Sequence, residues 1–259
     1  MKIATWNVNS VKARLPTVLA WFDEAKPDVA CLQEIKCVDD AFPRLEFEER
    51  GYNVETHGQK TYNGVALLSK YPIEDVLKGL PGDDSDEQAR YLEAVIGGEQ
   101  PVRVASIYLP NGNPIDSEKF DYKLGWFERL RARAKELLKH EEPTVIAGDY
   151  NVIPREDDVH DPKAWEGDAL FRPESRAAWR ALLNLGYADA FMAKDGRIHQ
   201  YTFWDYQRGA WEKDHGIRID HLACSPQALD ALETVTIHRN ARSMDKPSDH
   251  VPVVAEFSF

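Results

Sequence analysis

The sequence predicts a layered α/β fold built on two packed sheets, and three observations carry that prediction. Apolar runs of strand length recur along the whole chain and end in polar residues. Helical patterns separate several of them. The runs are rich in Val, Ile and Ala, with few outward polar positions. Strands of this last kind are buried on both faces, so each sheet needs helices or a second sheet on either side.

In chain order the strand-like runs are KIATWNVN from residue 2, DVACLQEIK from 28, GVALLSK from 64, VRVASIYLPNG from 102, TVIAGDYN from 144, RIDHLACS from 218 and HVPVVAEF from 250. Behind Ser10, residues 11–25 read as a helix. The longest helical pattern covers 117–140, where Phe120, Leu124, Phe127, Leu130, Ala134 and Leu137 recur at three and four residues. A third helix is expected over 174–185, opened by Pro173 and stopped by Gly186. Proline suits a first helical turn because the N–H it lacks would be unpaired there anyway. Segments 36–50, 80–90, 154–172 and 205–217 read as long loops, and loops of that length in a compact domain are often functional.

The chain has 259 residues, and no Gly/Ser-rich or Pro-rich stretch divides it, so one domain over 1–259 is expected. No apolar run is long enough for a bilayer, and MKIATWNVNS lacks the apolar centre of a signal peptide. The expectation is a cytoplasmic protein with no membrane partner. Cys31, Cys37 and Cys224 are odd in number and show no C-x-x-C spacing, so they read as small core residues. A net charge of -12 argues, taken alone, against a nucleic-acid partner. Residues 194–246, however, carry eight Lys/Arg against eight Asp/Glu, so the acid excess lies elsewhere, notably in GDDSDEQ and REDDVHD. One locally neutral or basic face is still available.

Polar residues gather at the strand ends. Asn7 and Asn9 follow IATW, Glu34 follows VACLQ, Tyr108 and Asn111 follow RVASI, Asp149 and Asn151 follow VIAG, Asp220 and His221 follow IRI, and Asp249 and His250 precede VPVV. Along one edge of layered sheets such groups can converge on one site. Singly, Asn7 and the Asp149-x-Asn151 pair also fit turn roles, and Tyr108 fits a packing role. Glu34 is different: behind four apolar residues a carboxylate needs a partner, and a metal ion is the simplest.

The blocks TWNVNS, LQEIK, GVALLSK, YLPNG, GDYNV, YTFWDY, IDHLACS and SDHVPV resemble, in order and approximate spacing, the exonuclease III family. Its relatives include the apurinic/apyrimidinic (AP) endonucleases and, more distantly, deoxyribonuclease I and the inositol polyphosphate 5-phosphatases. The resemblance covers essentially the whole chain. GDYN with SDH marks the wider superfamily, whereas LQEIK with YTFWDY and GIRIDH points to its DNA-repair branch. The resemblance implies a four-layered α/β sandwich with two packed mixed β-sheets. It also implies Mg²⁺-dependent hydrolysis, with Mn²⁺ as the alternative ion: 3′ to 5′ exonuclease action on duplex DNA, AP endonuclease incision and 3′-end trimming. The implied partner is double-stranded DNA with abasic sites or 3′ ends, met by a monomer.

Roles follow residue by residue from the same resemblance. Glu34, with Asn7 and Asp249, matches the metal carboxylate set, whose oxygen donors suit Mg²⁺ or Mn²⁺ rather than zinc. Asp149 matches the residue that aligns or deprotonates the attacking water, and Asn151 the one that holds the water or a phosphate oxygen. His250 paired with Asp220 matches the dyad whose imidazole contacts the scissile phosphate, where Tyr108 adds a hydrogen bond. Phe203, Ile217 and Ile219 match the pocket for the extrahelical nucleotide; some relatives carry Trp where this chain has Ile217. Gln207 and Arg208 would face DNA, with Lys60, Asn111 and Arg242 beside them. Two other readings stay open at this stage. A phosphatase of the same superfamily would need a pocket unlike YTFWDYQRGAWEKDHGIRID, and an inactive relative that only recognises damaged DNA would not need every catalytic position filled.

Overall fold

The computed structural model describes residues 1–259. In chain order its strands are β1 (Lys2–Asn7), β2 (Val29–Gln33), β3 (Asn53–His57), β4 (Val65–Ser69), β5 (Ile73–Lys78), β6 (Tyr91–Ile96), β7 (Val102–Tyr108), β8 (Thr144–Asp149), β9 (Ala188–Asp189), β10 (Asp220–Cys224), β11 (Leu232–Ile237) and β12 (Val253–Phe257). The helices are α1 (Leu15–Ala25), α2 (Arg44–Glu48), α3 (Glu118–Leu138), α4 (Pro162–Trp165), α5 (Pro173–Leu183), α6 (Ala190–Lys194) and α7 (Pro226–Ala231). One sheet has the order β11-β12-β1-β2-β4-β3 and the other β5-β6-β7-β8-β10-β9.

Both sheets are mixed, and their parallel pairs position the site. Only β1/β2 and β7/β8 run parallel. A parallel pair needs a crossover, here supplied by α1 and α3 respectively. Both members of a pair then end on the same edge, so β1, β2, β7 and β8 release their polar termini together. Gly148 lets β7 and β8 come close: a Cβ there would meet the Ile107 carbonyl oxygen at 2.0 Å.

The sheets face each other across Ile3, Val29, Cys31 and Leu67 on one side and Val104, Val145, Ala147 and Leu222 on the other. Trp21 and Phe22 of α1 cover the outer face of the first sheet over Ala4, Trp6 and Leu32. Trp126, Phe127 and Leu130 of α3, with Trp179 of α5, cover the second over Ala105, Ile107 and Ile146. Helix, sheet, sheet and helix make four layers. All three cysteines are buried and free. Between the sheets, Thr5 donates to Gln33 (3.2 Å) and Gln33 Nε2 donates to Ser106 (3.2 Å), a polar tie directly beneath the site edge.

The expected helices form with shifted ends. α1 starts at Leu15 rather than residue 11, with Pro16 in its first turn. Ser117 caps α3 through the Lys119 N–H, and the buried stripe is Lys123, Trp126, Phe127, Leu130, Ala134 and Leu137, so Lys123 and Trp126 replace Phe120 and Leu124. α5 stops at Leu183. Two expected loops hold helices: 36–50 contains α2, whose Phe47 packs on Phe22 at a 5.1 Å ring separation, and 154–172 contains α4, capped by Asp161. No helix is long and apolar enough to cross a membrane.

Candidate active site

Asn7 ends β1 with its side chain fully buried, and its amide nitrogen donates to both Glu34 Oε1 (2.9 Å) and Asp149 Oδ2 (2.9 Å). One side chain thereby bridges the two sheets. Glu34 follows β2 in a left-handed conformation (φ 50°), which turns the chain away from the strand direction at the site edge. Lys36 Nζ lies 2.8 Å from Glu34 Oε2 and 2.5 Å from Asn9 Oδ1. Burial opposes charge on Glu34, but Lys36 and the Asn7 hydrogen bond outweigh it and hold the carboxyl below its usual range.

The second sheet supplies the rest. Asp149 ends β8, buried, and its Oδ1 accepts the Asn151 N–H at 2.9 Å. Asn151, also left-handed (φ 46°), donates from Nδ2 to the Leu109 carbonyl (2.8 Å), while its Oδ1 accepts from Asn111 Nδ2 (3.2 Å). Tyr108 ends β7 with the Arg90 guanidinium 4.8 Å over its ring. Burial, then the neighbouring Glu34 and Asp149 charges, push its phenol far up, so it stays a hydroxyl donor.

His250 lies between two carboxylates: Nδ1 is 2.9 Å from Asp220 Oδ2, and Nε2 is 3.7 Å from Asp149 Oδ2. All three residues are buried. Burial disfavours the imidazolium, but Asp220 and then Asp149 outweigh it and raise the histidine. Burial in turn pushes Asp149 up, against the pull of His250. Asp249, next in chain to His250, accepts from Asn9 Nδ2 (3.1 Å) and from the Ser248 hydroxyl (3.3 Å).

One cluster of ligand atoms is close enough to hold a cation, and further oxygens lie at the same edge. Asp149, Asp220 and His250 present ligand atoms within 4.8 Å of one another. In this arrangement His250 Nδ1 already faces Asp220 and Nε2 faces Asp149, so the three groups are engaged with one another. Glu34 and Asp249 offer carboxylate oxygens and Asn7 an amide oxygen that accepts the Asn9 N–H (3.0 Å), while Lys36 places a positive charge against Glu34 and Asn9. Oxygens of this kind are the donors a hard divalent ion takes.

Beside His250 opens a cleft of about 470 Å³ lined by His160, Trp165, Phe203, Gln207, Arg208 and Ile217, among others. Phe203 joins the two regions, its ring edge-on to His250 at 4.9 Å. The structure therefore brings Phe203, Ile217, Gln207 and Arg208 to one cavity. Ile219 does not reach it: the side chain packs behind Ile217 with Ile153 and Phe171. Arg242 is not a surface contact either. It is buried, stacked on Tyr206 at 4.9 Å, and donates to the Trp204 carbonyl (3.3 Å), so it supports the 205–211 loop. Asn111 and Lys60 are exposed. Sequence reasoning passed over Lys36, Arg90 and Lys123; for Lys123 a signal existed, a lysine three residues after Phe120 and four before Phe127 on the apolar face of α3.

Known proteins place this geometry. The chain is 34% identical over 266 residues to an exodeoxyribonuclease III from Haemophilus influenzae, with 99% of this chain and 100% of that protein covered. An AP endonuclease from Archaeoglobus fulgidus superposes with a TM-score of 0.95 at 38% identity, each chain covered completely. A 3′ phosphatase from Neisseria, solved bound to a product DNA hairpin, also gives 0.95, at 36% identity and complete coverage of both chains. Residues 4–250 match the endonuclease/exonuclease/phosphatase family, a span that takes in every site residue from Asn7 to His250. The chain belongs to that family and, within it, to the exonuclease III and AP endonuclease group.

Proposed function

We propose that this chain is a DNA-repair phosphodiesterase that uses Mg²⁺ to cleave duplex DNA at abasic sites and at 3′ ends, leaving a 3′-hydroxyl. The observation that carries the reading is the bridge through Asn7 that joins the Glu34 carboxylate to a buried Asp–His–Asp chain at one sheet edge. The similarity to an exodeoxyribonuclease III, an AP endonuclease and a DNA-bound 3′ phosphatase supports DNA as the substrate.

Hydrolysis needs a water in line with the departing 3′ oxygen and donors for charge on the phosphate. Asp149, raised by burial, is suited to take a proton from that water, and Asn151 to orient it. The His250 imidazolium and the Tyr108 hydroxyl donate to the phosphate oxygens. Asp220 keeps the ring charged and aimed. Glu34, Asn7 and Asp249 would hold the divalent ion, which when bound supplies Lewis-acid stabilisation of phosphate and leaving-group charge. Phe203 and Ile217 wall the space for the extruded sugar, and Gln207, Arg208 and Asn111 meet the flanking strand.

A phosphatase reading gains nothing from the site, since the aromatic cleft beside His250 has the size of a nucleotide pocket rather than of a lone phosphate. The deciding assay compares cleavage of an abasic duplex and of a recessed 3′ end, with EDTA and with Mg²⁺ restored. Metal-restored incision or resection is expected, and absence of both with Mg²⁺ present overturns the proposal.

A further inference from the structure

Lys123 is fully buried inside α3, and its ammonium donates to three backbone carbonyls: Asn151 at 2.6 Å, Pro110 at 3.1 Å and Asn111 at 3.1 Å. An ammonium has three protons, so these acceptors use all of them. The carbonyls belong to two different loops, those leaving the parallel strands β7 and β8. Gly112 closes over the lysine stem so tightly that a Cβ there would lie 2.6 Å from Lys123 Cδ.

A buried ammonium whose hydrogen bonds all go to neutral carbonyls is a costly way to fill an apolar helix face, where Leu or Met would pack without desolvating a charge. Its partners indicate what it provides. Pinning the Asn111 and Asn151 carbonyls fixes the two peptides whose side chains hydrogen-bond to each other at 3.2 Å, and it holds Asn151 in its left-handed conformation. Asn151 in turn gives its N–H to Asp149. Lys123 makes no hydrogen bond to Asp149 and does not line the cleft, so beyond its charge near Asp149 it acts on the chemistry through the loops.

We infer that Lys123 is a positioning residue for phosphodiester hydrolysis, a clamp that locks the β7 and β8 exit loops together so that Asn151 and Asp149 present one fixed geometry to the phosphate. The inference rests on the proposed nuclease function. Burial lowers Lys123 to about 7, against the pull of Asp149 and Asp168, so the clamp loses a donor as the solution becomes alkaline.

The test is a double-mutant cycle on a DNA substrate that the unaltered chain cleaves, using Lys123→Met, Asn151→Ala and the pair together. Lys123→Met is expected to lower kcat at least about tenfold with KM changed less than about twofold, because DNA affinity rests on many phosphate contacts elsewhere. In the Asn151→Ala background the same change should cost less than about threefold, since the residue it acts through is gone. Unchanged kcat, or losses that multiply in the double variant, overturns the inference. Should Lys123→Met fail to fold, Lys123→Gln, which keeps N–H donors, takes its place in the cycle. Amide exchange supplies a readout independent of activity: protection at the hydrogen-bonded N–H groups of Leu109 and Asn151 should fall together by about tenfold while α3 is unaffected, and unchanged protection in both loops refutes the clamp. Failure of the unaltered chain to cleave DNA would count against the functional reading alone.

Discussion

Both carboxylate oxygens of Asp220 face one nitrogen of His250, with Nδ1 2.9 Å from Oδ2 and 3.1 Å from Oδ1. The two-oxygen contact fixes the plane of the ring and keeps it charged against the cost of burial. Asp220→Asn is therefore expected to reduce kcat by about 10²-fold, the usual worth of an acid-base or oxyanion contact, with little change in KM. Turnover measured at saturating DNA decides it: a near-normal rate would leave Asp220 a packing role only.

Metal affinity should depend on Glu34. Glu34→Ala removes one of the oxygen donors and also releases Lys36, so the Mg²⁺ concentration for half-maximal rate should rise by about tenfold or more, roughly 1.4 kcal/mol. Titrating Mg²⁺ into EDTA-stripped enzyme reads this directly. A curve that superimposes on that of the unaltered chain would remove Glu34 from the ion's ligands.

Substrate preference should depend on the cleft wall. Ile217→Ala enlarges the cavity beside Phe203, which should slow cleavage at an abasic site more than at an intact 3′ nucleotide. The ratio of the two rate constants is expected to move about tenfold, or roughly 1.4 kcal/mol of differential transition-state binding. Parallel loss on both substrates would mean that Ile217 serves packing alone.

Lys123 sets a pH dependence of stability. Burial lowers it from 10.5 to about 7, so between those values the unfolded chain holds a proton that the folded chain has given up. Stability through this group is full above about 10.5 and falls as the pH drops toward 7, with a slope of at most about 1.4 kcal/mol per pH unit. Urea unfolding between pH 7 and 9 should show this rise in the unaltered chain and its loss in Lys123→Met. Identical slopes in the two would show the lysine charged throughout.

What the sequence disclosed was the buried half of each sheet. The four edge strands β3, β5, β9 and β11 escaped notice because an edge needs fewer apolar residues: IEDVLK and LETVTI are largely exposed. β6 was hidden by Glu93, a buried carboxylate answered by Arg103 and Arg133 from distant positions. At the ends of the central strands only Glu34 stood out by itself, a carboxylate behind an apolar run; Asn7, Asp149, Asn151 and Tyr108 also fit turn or packing roles, and the family resemblance supplied theirs. Ile219 and Arg242 were misplaced for the opposite reason, because motif proximity does not say on which side of a strand or loop a side chain turns. Lys123 stayed unseen because its partners are backbone carbonyls, which leave no mark in the sequence.

The second sheet, β5 to β10, is one unbroken stretch set between β4 and β11, whereas β1 finds its β12 neighbour only when the last strand arrives. Asp249 and His250 sit just before that strand. The segment that covers the flank of β1 is therefore the one that brings His250 to the site edge. A chain cut before residue 249 would lose the last neighbour of β1 together with the imidazole assigned to the phosphate.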